Sequence, residues 1–134
     1  MIFIDAGAFI ASYLKGDQHH RKAVDTWQRL ANDRTPCITT NFVLNETINY
    51  FSRRVSPLFA VDVARALYAS KTLQIVRPTE AHEVNAIELL RKYADQKVGF
   101  TDCISFALMH DMRIPRAFSF DRHFDLPGFI RFPL

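Results

Sequence analysis

Short apolar runs alternate with longer amphipathic stretches along this chain, in an order that predicts strands separated by helices. Ile2-Phe3-Ile4 is a β-prone run ending in Asp5-Ala6-Gly7. Ala8 to Leu14 predicts a first helix, closed near Gly16, and Asp17 can cap a second through His20, Ala23, Val24, Trp27 and Leu30. Pro36-Cys37-Ile38-Thr39 reads as a second strand, after which Thr40 or Asn41 can cap a helix from Phe42 to about Arg54. Ser56-Pro57 is an N-cap and first-turn pair opening a helix to about Ala69. Leu73 to Val76 is a third strand. Thr79 starts a helix with Glu80 and Glu83 in its first turn and Val84, Ile87 and Leu90 at helical spacing. Thr101 or Asp102 begins a helix that is apolar nearly all round, which predicts burial. Arg116 to Phe120 is a fourth strand, and Phe129 to Phe132 a fifth at the edge.

Strands joined through helices imply parallel pairing with right-handed crossovers. The expected fold is α/β: a three-layer α/β/α sandwich around a parallel sheet of four or five strands. At 134 residues the chain has the size of one domain. No apolar run reaches bilayer-spanning length, and Met1-Ile2-Phe3-Ile4-Asp5 has no basic n-region, so a membrane or secretory role is not expected and the cytoplasm is. Cys37 and Cys103 lack metal-ligand spacing and are expected to be reduced thiols.

The net charge of +3 permits a nucleic-acid partner without requiring one. Charge type is more informative. Twelve of the 17 basic residues are Arg, whose planar fork matches phosphate, and ten of the 14 acids are Asp, which favour strand ends and helix starts. In open parallel sheets, sites form beyond the carboxyl ends of the strands. Asp5 follows the first strand, Asp121 the fourth, and Asp102 opens the buried helix. Glu46 lies one turn into the helix after the second strand, opposite the stripe of Leu44, Ile48, Phe51 and Val55.

Each acid has an ordinary alternative. Asp5 can cap the first helix, Asp102 can be a first-turn acid, Glu46 can sit on a solvated face and Asp121 in a turn. Together, four clustered carboxylates repel one another unless a divalent cation compensates. All-oxygen donors point to Mg²⁺, with Mn²⁺ as substitute, rather than Zn²⁺. Such a centre suits phosphoryl transfer to water.

Four segments carry a family resemblance. They are Ile2-Phe3-Ile4-Asp5-Ala6-Gly7-Ala8-Phe9, Thr39-Thr40-Asn41-Phe42-Val43-Leu44-Asn45-Glu46-Thr47, Gly99-Phe100-Thr101-Asp102-Cys103-Ile104-Ser105-Phe106-Ala107 and Ala117-Phe118-Ser119-Phe120-Asp121-Arg122-His123-Phe124. In order and spacing the chain resembles the PIN domain, and within it the VapC-type ribonuclease toxins of toxin–antitoxin pairs. The resemblance implies one PIN-like nuclease domain over residues 1–134. It also implies catalytic metal-binding roles for Asp5, Glu46, Asp102 and Asp121, and a Mg²⁺-dependent endoribonuclease cutting single-stranded or loop RNA to 5′-phosphate and 3′-hydroxyl ends. A cognate antitoxin and a homodimer are implied as partners.

Many family members carry a hydroxyl or amide just after the first Asp, where this chain has Ala6-Gly7. Thr39 or Thr101 can supply that contact, and both are candidate substrate-binding residues. Arg122 is a candidate for RNA backbone contact together with Arg53, Arg54, Arg113 and Arg116. His123 can touch substrate, shuttle a proton, or pack between Phe120 and Phe124. His19 and His20 are expected to be solvated, and Phe120 to be core packing.

Phe42, Tyr50, Leu58, Phe59, Val61, Val63, Leu67 and Tyr68 exceed what one buried face of the third and fourth helices requires. They suggest either a wide core or an antitoxin groove. A housekeeping PIN nuclease in RNA processing or decay, and a non-catalytic RNA-binding PIN-like module, are the alternative functions. A haloacid-dehalogenase-type phosphatase needs a D-x-D pair after the first strand, which Asp5-Ala6-Gly7 does not provide.

Overall fold

The computed structural model describes residues 1–133. In chain order the elements are β1 (Ile2–Ile4), α1 (Ala6–Tyr13), α2 (His20–Asn32), β2 (Cys37–Thr40), α3 (Asn41–Arg54), α4 (Pro57–Ala69), β3 (Leu73–Val76), α5 (Glu80–Lys92), α6 (Phe100–Asp111), β4 (Arg116–Phe118) and β5 (Ile130–Phe132). Short 3-10 turns at Ala94–Gln96 and Arg122–Asp125 precede α6 and follow β4.

All strand pairs are parallel, in the order β3-β2-β1-β4-β5. The order reverses direction at β1, where Phe3 pairs with Ile38 on one side and Ala117 on the other. Right-handed crossovers then place α1 to α4 on one face and α5 and α6 on the other. Helix contacts split the same way: α1 meets α2 and α3, α3 meets α4, and α5 meets α6. Covered on both faces, β1 and β2 are buried along their whole length. Phe3, Ile4, Ile38, Phe106, Phe118 and Phe124 fill the core, with Phe106 edge-on to Phe124 at 5.0 Å between centroids.

Side-chain caps set the starts of three of the six helices. Thr40 caps α3 by accepting from the Val43 amide at 3.1 Å, and Ser56 caps α4 through Phe59 at 3.1 Å. Thr79 and His82 form a capping box at the start of α5. Asp17 lies three residues before α2 and accepts from the His19 amide at 2.8 Å, capping the approach turn rather than the helix.

Three expectations change. β4 stops at Phe118 rather than Phe120, because Ser119 Oγ accepts the Asp121 amide at 3.0 Å and bends the chain out of the ladder. The Val84, Ile87 and Leu90 stripe of α5 faces solvent, while Ala86 and His82 are buried. In α4, Val63 and Leu67 belong to the core, Phe59 packs edge-on against Phe51 at 5.3 Å, and Leu58, Val61 and Tyr68 are exposed. The surplus apolar surface of α4 is therefore narrower than the sequence suggests.

Candidate metal centre

The reversal of strand order leaves a crevice beyond the carboxyl ends of β1 and β4, the place where open α/β sheets bind ligands. Asp5 stands at the end of β1, in the N-cap position of α1. Its side chain makes no capping hydrogen bond. Instead its buried carboxylate accepts from Ser119 Oγ at 2.8 Å. Burial pushes the Asp5 carboxyl up to about 6, and the charges of Glu46 and Asp121 add to this; the Ser119 hydroxyl and the adjacent Ala6 amide act the other way.

Asp102 lies in the first turn of α6, one or two residues further into the helix than a start at Thr101 or Asp102 implies, because α6 starts at Phe100 with Gly99 as its N-cap. α6 is embedded in the fold, with Cys103 to Met109 all buried. Burial again dominates, and the charges of Asp5, Asp121 and Glu46 follow, pushing the Asp102 carboxyl up to about 8. Glu46, on α3, is raised as well, by loss of water and then by Asp121. Asp121 caps the 3-10 turn after β4 by accepting from the His123 amide at 2.9 Å. The turn role expected as an alternative for Asp121 is real, and it coexists with a place in the acid cluster.

Asp5, Glu46 and Asp102 thus come from three separate elements and are each raised, first by burial and then by neighbouring carboxylate charge, with Asp121 from a fourth segment among the charges that act on them. Among the described residues no Lys or Arg pairs with any of them. The nearest cationic candidate is His123, with Nδ1 at 3.3 Å from Asp121 and 3.9 Å from Asp102. Asp102, Asp121 and His123 can each present a ligand atom within 4.8 Å of the others, so this corner could hold a metal ion. His123 is thereby drawn to the acids rather than serving only as packing between Phe120 and Phe124.

Thr39 lies inside the sheet rather than at an open surface. It is fully buried, and its hydroxyl donates to the Ile4 carbonyl at 2.8 Å, bracing β2 to β1 just before Asp5. Thr101 is half-buried beside Asp102, and Arg122 is exposed next to Asp121. The hydroxyl that contacts Asp5 comes from Ser119 rather than from Thr39 or Thr101. Its signal was the small polar side chain set between Phe118 and Phe120 at the strand's end. At the rim, His19 stacks on half-buried Phe120 at 4.3 Å with the rings 2° from parallel, so neither is the freely solvated or purely core residue expected.

Comparison with known proteins agrees with this architecture. The profile of the PIN domain matches residues 2–130. The 23S rRNA-specific endonuclease VapC20 of Mycobacterium tuberculosis is 32% identical over 130 residues, covering 97% of this chain and 96% of the relative. The crystal structure of that VapC20, described as a sarcin-ricin loop cleaving toxin, superposes with a TM-score of 0.85 at 31% identity, covering 97% of both chains. A toxin–antitoxin complex from Klebsiella pneumoniae matches with a TM-score of 0.65 at 14% identity, over 97% of this chain and 96% of that one. DNA-bound VapBC from Salmonella typhimurium matches at 0.69 and 13% identity, over 98% and 97%. These last two share the fold.

Proposed function

This chain belongs to the PIN-domain family, among its VapC-type toxins, and from that premise we propose that it is a Mg²⁺-dependent endoribonuclease, the toxin of a toxin–antitoxin pair. The observation that carries the reading is the group of carboxylates at the β1/β4 crevice: Asp5, Glu46 and Asp102 are raised by burial and by neighbouring charge, that of Asp121 included, and among the described residues no Lys or Arg pairs with any of the four. Such a donor set fits a hard divalent ion, because bound positive charge removes the repulsion that burial otherwise leaves uncompensated. Asp5, Glu46, Asp102 and Asp121 are the proposed ligands, with Mn²⁺ able to replace Mg²⁺. The ion supplies Lewis acidity toward a phosphodiester and a lowered pKa for a bound water.

The chain's own residues do the positioning. The Ser119 hydroxyl holds the Asp5 carboxylate, and its acceptance of the Asp121 amide fixes the turn that carries Asp121. The first turn of α6 holds Asp102 close to Asp121, with ligand atoms within 4.8 Å. His123 Nδ1 lies 3.3 Å from Asp121 and steadies it. Thr101 and Arg122 stand at the edge as substrate contacts. Attack by water in line with the leaving 3′ oxygen yields 5′-phosphate and 3′-hydroxyl ends.

The named target of the M. tuberculosis relative makes 23S rRNA, and its sarcin-ricin loop, the RNA to test first. Among the described residues no helix is long and apolar enough to cross a membrane; we place the enzyme in the cytoplasm with its RNA. A cognate antitoxin and a second copy of the chain are the proposed protein partners. The exposed apolar residues Leu58, Val61 and Tyr68 on α4, and Val84, Ile87 and Leu90 on α5, are the surfaces that support them. Purified protein incubated with a sarcin-ricin loop oligonucleotide should cut it in Mg²⁺ and stop in EDTA, with 5′-phosphate ends on the products. Cleavage that persists in chelator overturns the metal mechanism, and failure to cut any RNA overturns the ribonuclease reading.

A further inference from the structure

A cleft of about 430 Å³ opens directly beside the acid cluster. Ile10 of α1 lines one side, and the other is the exposed flank of α3. That flank carries two parallel rows at four-residue spacing, Asn45-Asn49-Arg53 and Glu46-Tyr50-Arg54. Glu46 lines the cleft and also acts on Asp102, so cleft and metal centre are continuous.

Charge changes sign along this wall. Glu46 is the single acid of α3 and lies at the metal centre, while Arg53 and Arg54 stand in the last turn. At the helical rise of 1.5 Å per residue, that turn is ~12 Å beyond Glu46. Arg53 and Arg54 are exposed and form no ion pair among the described residues. The Arg54 guanidinium lies 5.4 Å from the centre of the Tyr50 ring. The helix dipole accounts for positive charge in a last turn. It does not account for a cleft walled by asparagines and a tyrosine leading from that charge to the acids.

We propose that this cleft is a nucleotide subsite, in which Tyr50, Asn45 and Asn49 receive the residue next to the scissile phosphate and Arg53 and Arg54 hold the following phosphate. The proposal rests on the ribonuclease reading and gives the RNA a direction, running from the metal centre down α3. The volume is in the range of small-ligand sites. The asparagine amides offer both donors and acceptors to base edges and the 2′-hydroxyl. Tyr50 offers a ring that stacks on any base, and the Arg forks match phosphate. At ~12 Å from Glu46, the guanidiniums meet a neighbouring phosphate rather than the one being cut.

The test is fluorescence polarisation of a short labelled single-stranded RNA in EDTA, across a salt series, with cleavage in Mg²⁺ measured separately. Arg53→Gln/Arg54→Gln should weaken binding roughly tenfold at low salt and flatten the plot of log affinity against log salt by about 1.4, at ~0.7 per lost single-strand phosphate contact. Arg53→Lys/Arg54→Lys should keep most of the slope. Tyr50→Phe should bind like wild type and Tyr50→Ala should not. Affinity and slope unchanged in the double Gln variant overturn the subsite, as does loss of antitoxin binding with RNA affinity intact. If the wild type cuts no RNA but the slope falls as stated, the nuclease reading fails and takes the scissile-phosphate assignment with it, leaving the cleft as an RNA-binding site alone. If the wild type and the double Gln variant cut and bind alike, the subsite fails and the nuclease reading stands.

Discussion

Ser119 Oγ donates to the Asp5 carboxylate at 2.8 Å although the two residues are 114 positions apart in sequence. The same oxygen accepts the Asp121 amide at 3.0 Å. One buried hydroxyl therefore orients the first acid and sets the turn that delivers the fourth. Outer-shell groups of this kind commonly change metal affinity or activity 10- to 100-fold on removal. Ser119→Ala should raise the Mg²⁺ concentration giving half-maximal cleavage by about that factor, with the fold retained by circular dichroism. A metal titration that superposes on the wild type would show that Asp5 needs no such support.

Asp5→Asn and Asp102→Asn should abolish cleavage, by at least ~100-fold, beyond the outer-shell range. In EDTA at neutral pH both variants should melt at or above the wild-type temperature, because a neutral amide relieves the mutual repulsion. An ordinary helix cap would instead lose about 1 kcal/mol of stability with cleavage intact. Thermal melts and cleavage assays run side by side separate the two outcomes.

Metal-free stability should fall as pH rises. The Asp5 carboxyl moves from 3.8 to about 6 on folding, and that of Asp102 from 3.8 to about 8. With folded values above unfolded ones, the folded state binds more protons over this window, so the contribution is full below pH ~4 and is lost through pH ~6 and then ~8. For Asp5 alone this is on the order of 3 kcal/mol at most, at about 1.4 kcal/mol per pH unit. Melting in EDTA between pH 5 and 8.5 should show the decline, and Mg²⁺ should flatten it. A flat metal-free profile would rule out charge crowding at this site.

His82 joins α5 to the far end of α6. Its Nδ1 accepts the Thr79 amide at 2.9 Å, so Nε2 carries the hydrogen donated to Asp111 at 2.8 Å. His82→Ala should cost about 1–3 kcal/mol through the lost cap and helix tie, with kcat near wild type at low temperature. A large fall in kcat at full folding would instead tie this contact to the position of Asp102.

On α4, Leu58→Asp should leave folding unchanged and weaken antitoxin binding, since Leu58 is 79% exposed. Leu67→Asp should unfold the chain, because Leu67 is 7% exposed and a buried unpaired carboxylate costs several kcal/mol. Calorimetric titration with the antitoxin, together with melting curves, distinguishes the two positions. Equal antitoxin affinity of Leu58→Asp and wild type would move the partner surface elsewhere.

The sequence by itself determined the succession of strands and helices, their caps at Thr40, Ser56 and Thr79, the burial of α6, and the positions of the acids near element ends. These are short-range properties: periodicity, capping hydrogen bonds and turn chemistry act within a few residues. Tertiary structure alone decided that β4 lies beside β1, which brings Ser119 and Asp121 to Asp5. It also decided that Thr39 points into the sheet's packing and Ser119 toward the acids. Both strands are covered on both faces, so residue alternation along them carries no inside–outside signal. The apolar spacing of α5 identified a helix but not its buried side. That side was set by small Ala86 and hydrogen-bonded His82, which fit against the neighbouring helix where bulkier Val84 and Ile87 do not lie. Strand neighbours and helix faces depend on the best joint packing of segments far apart in the chain, and no local pattern contains that information.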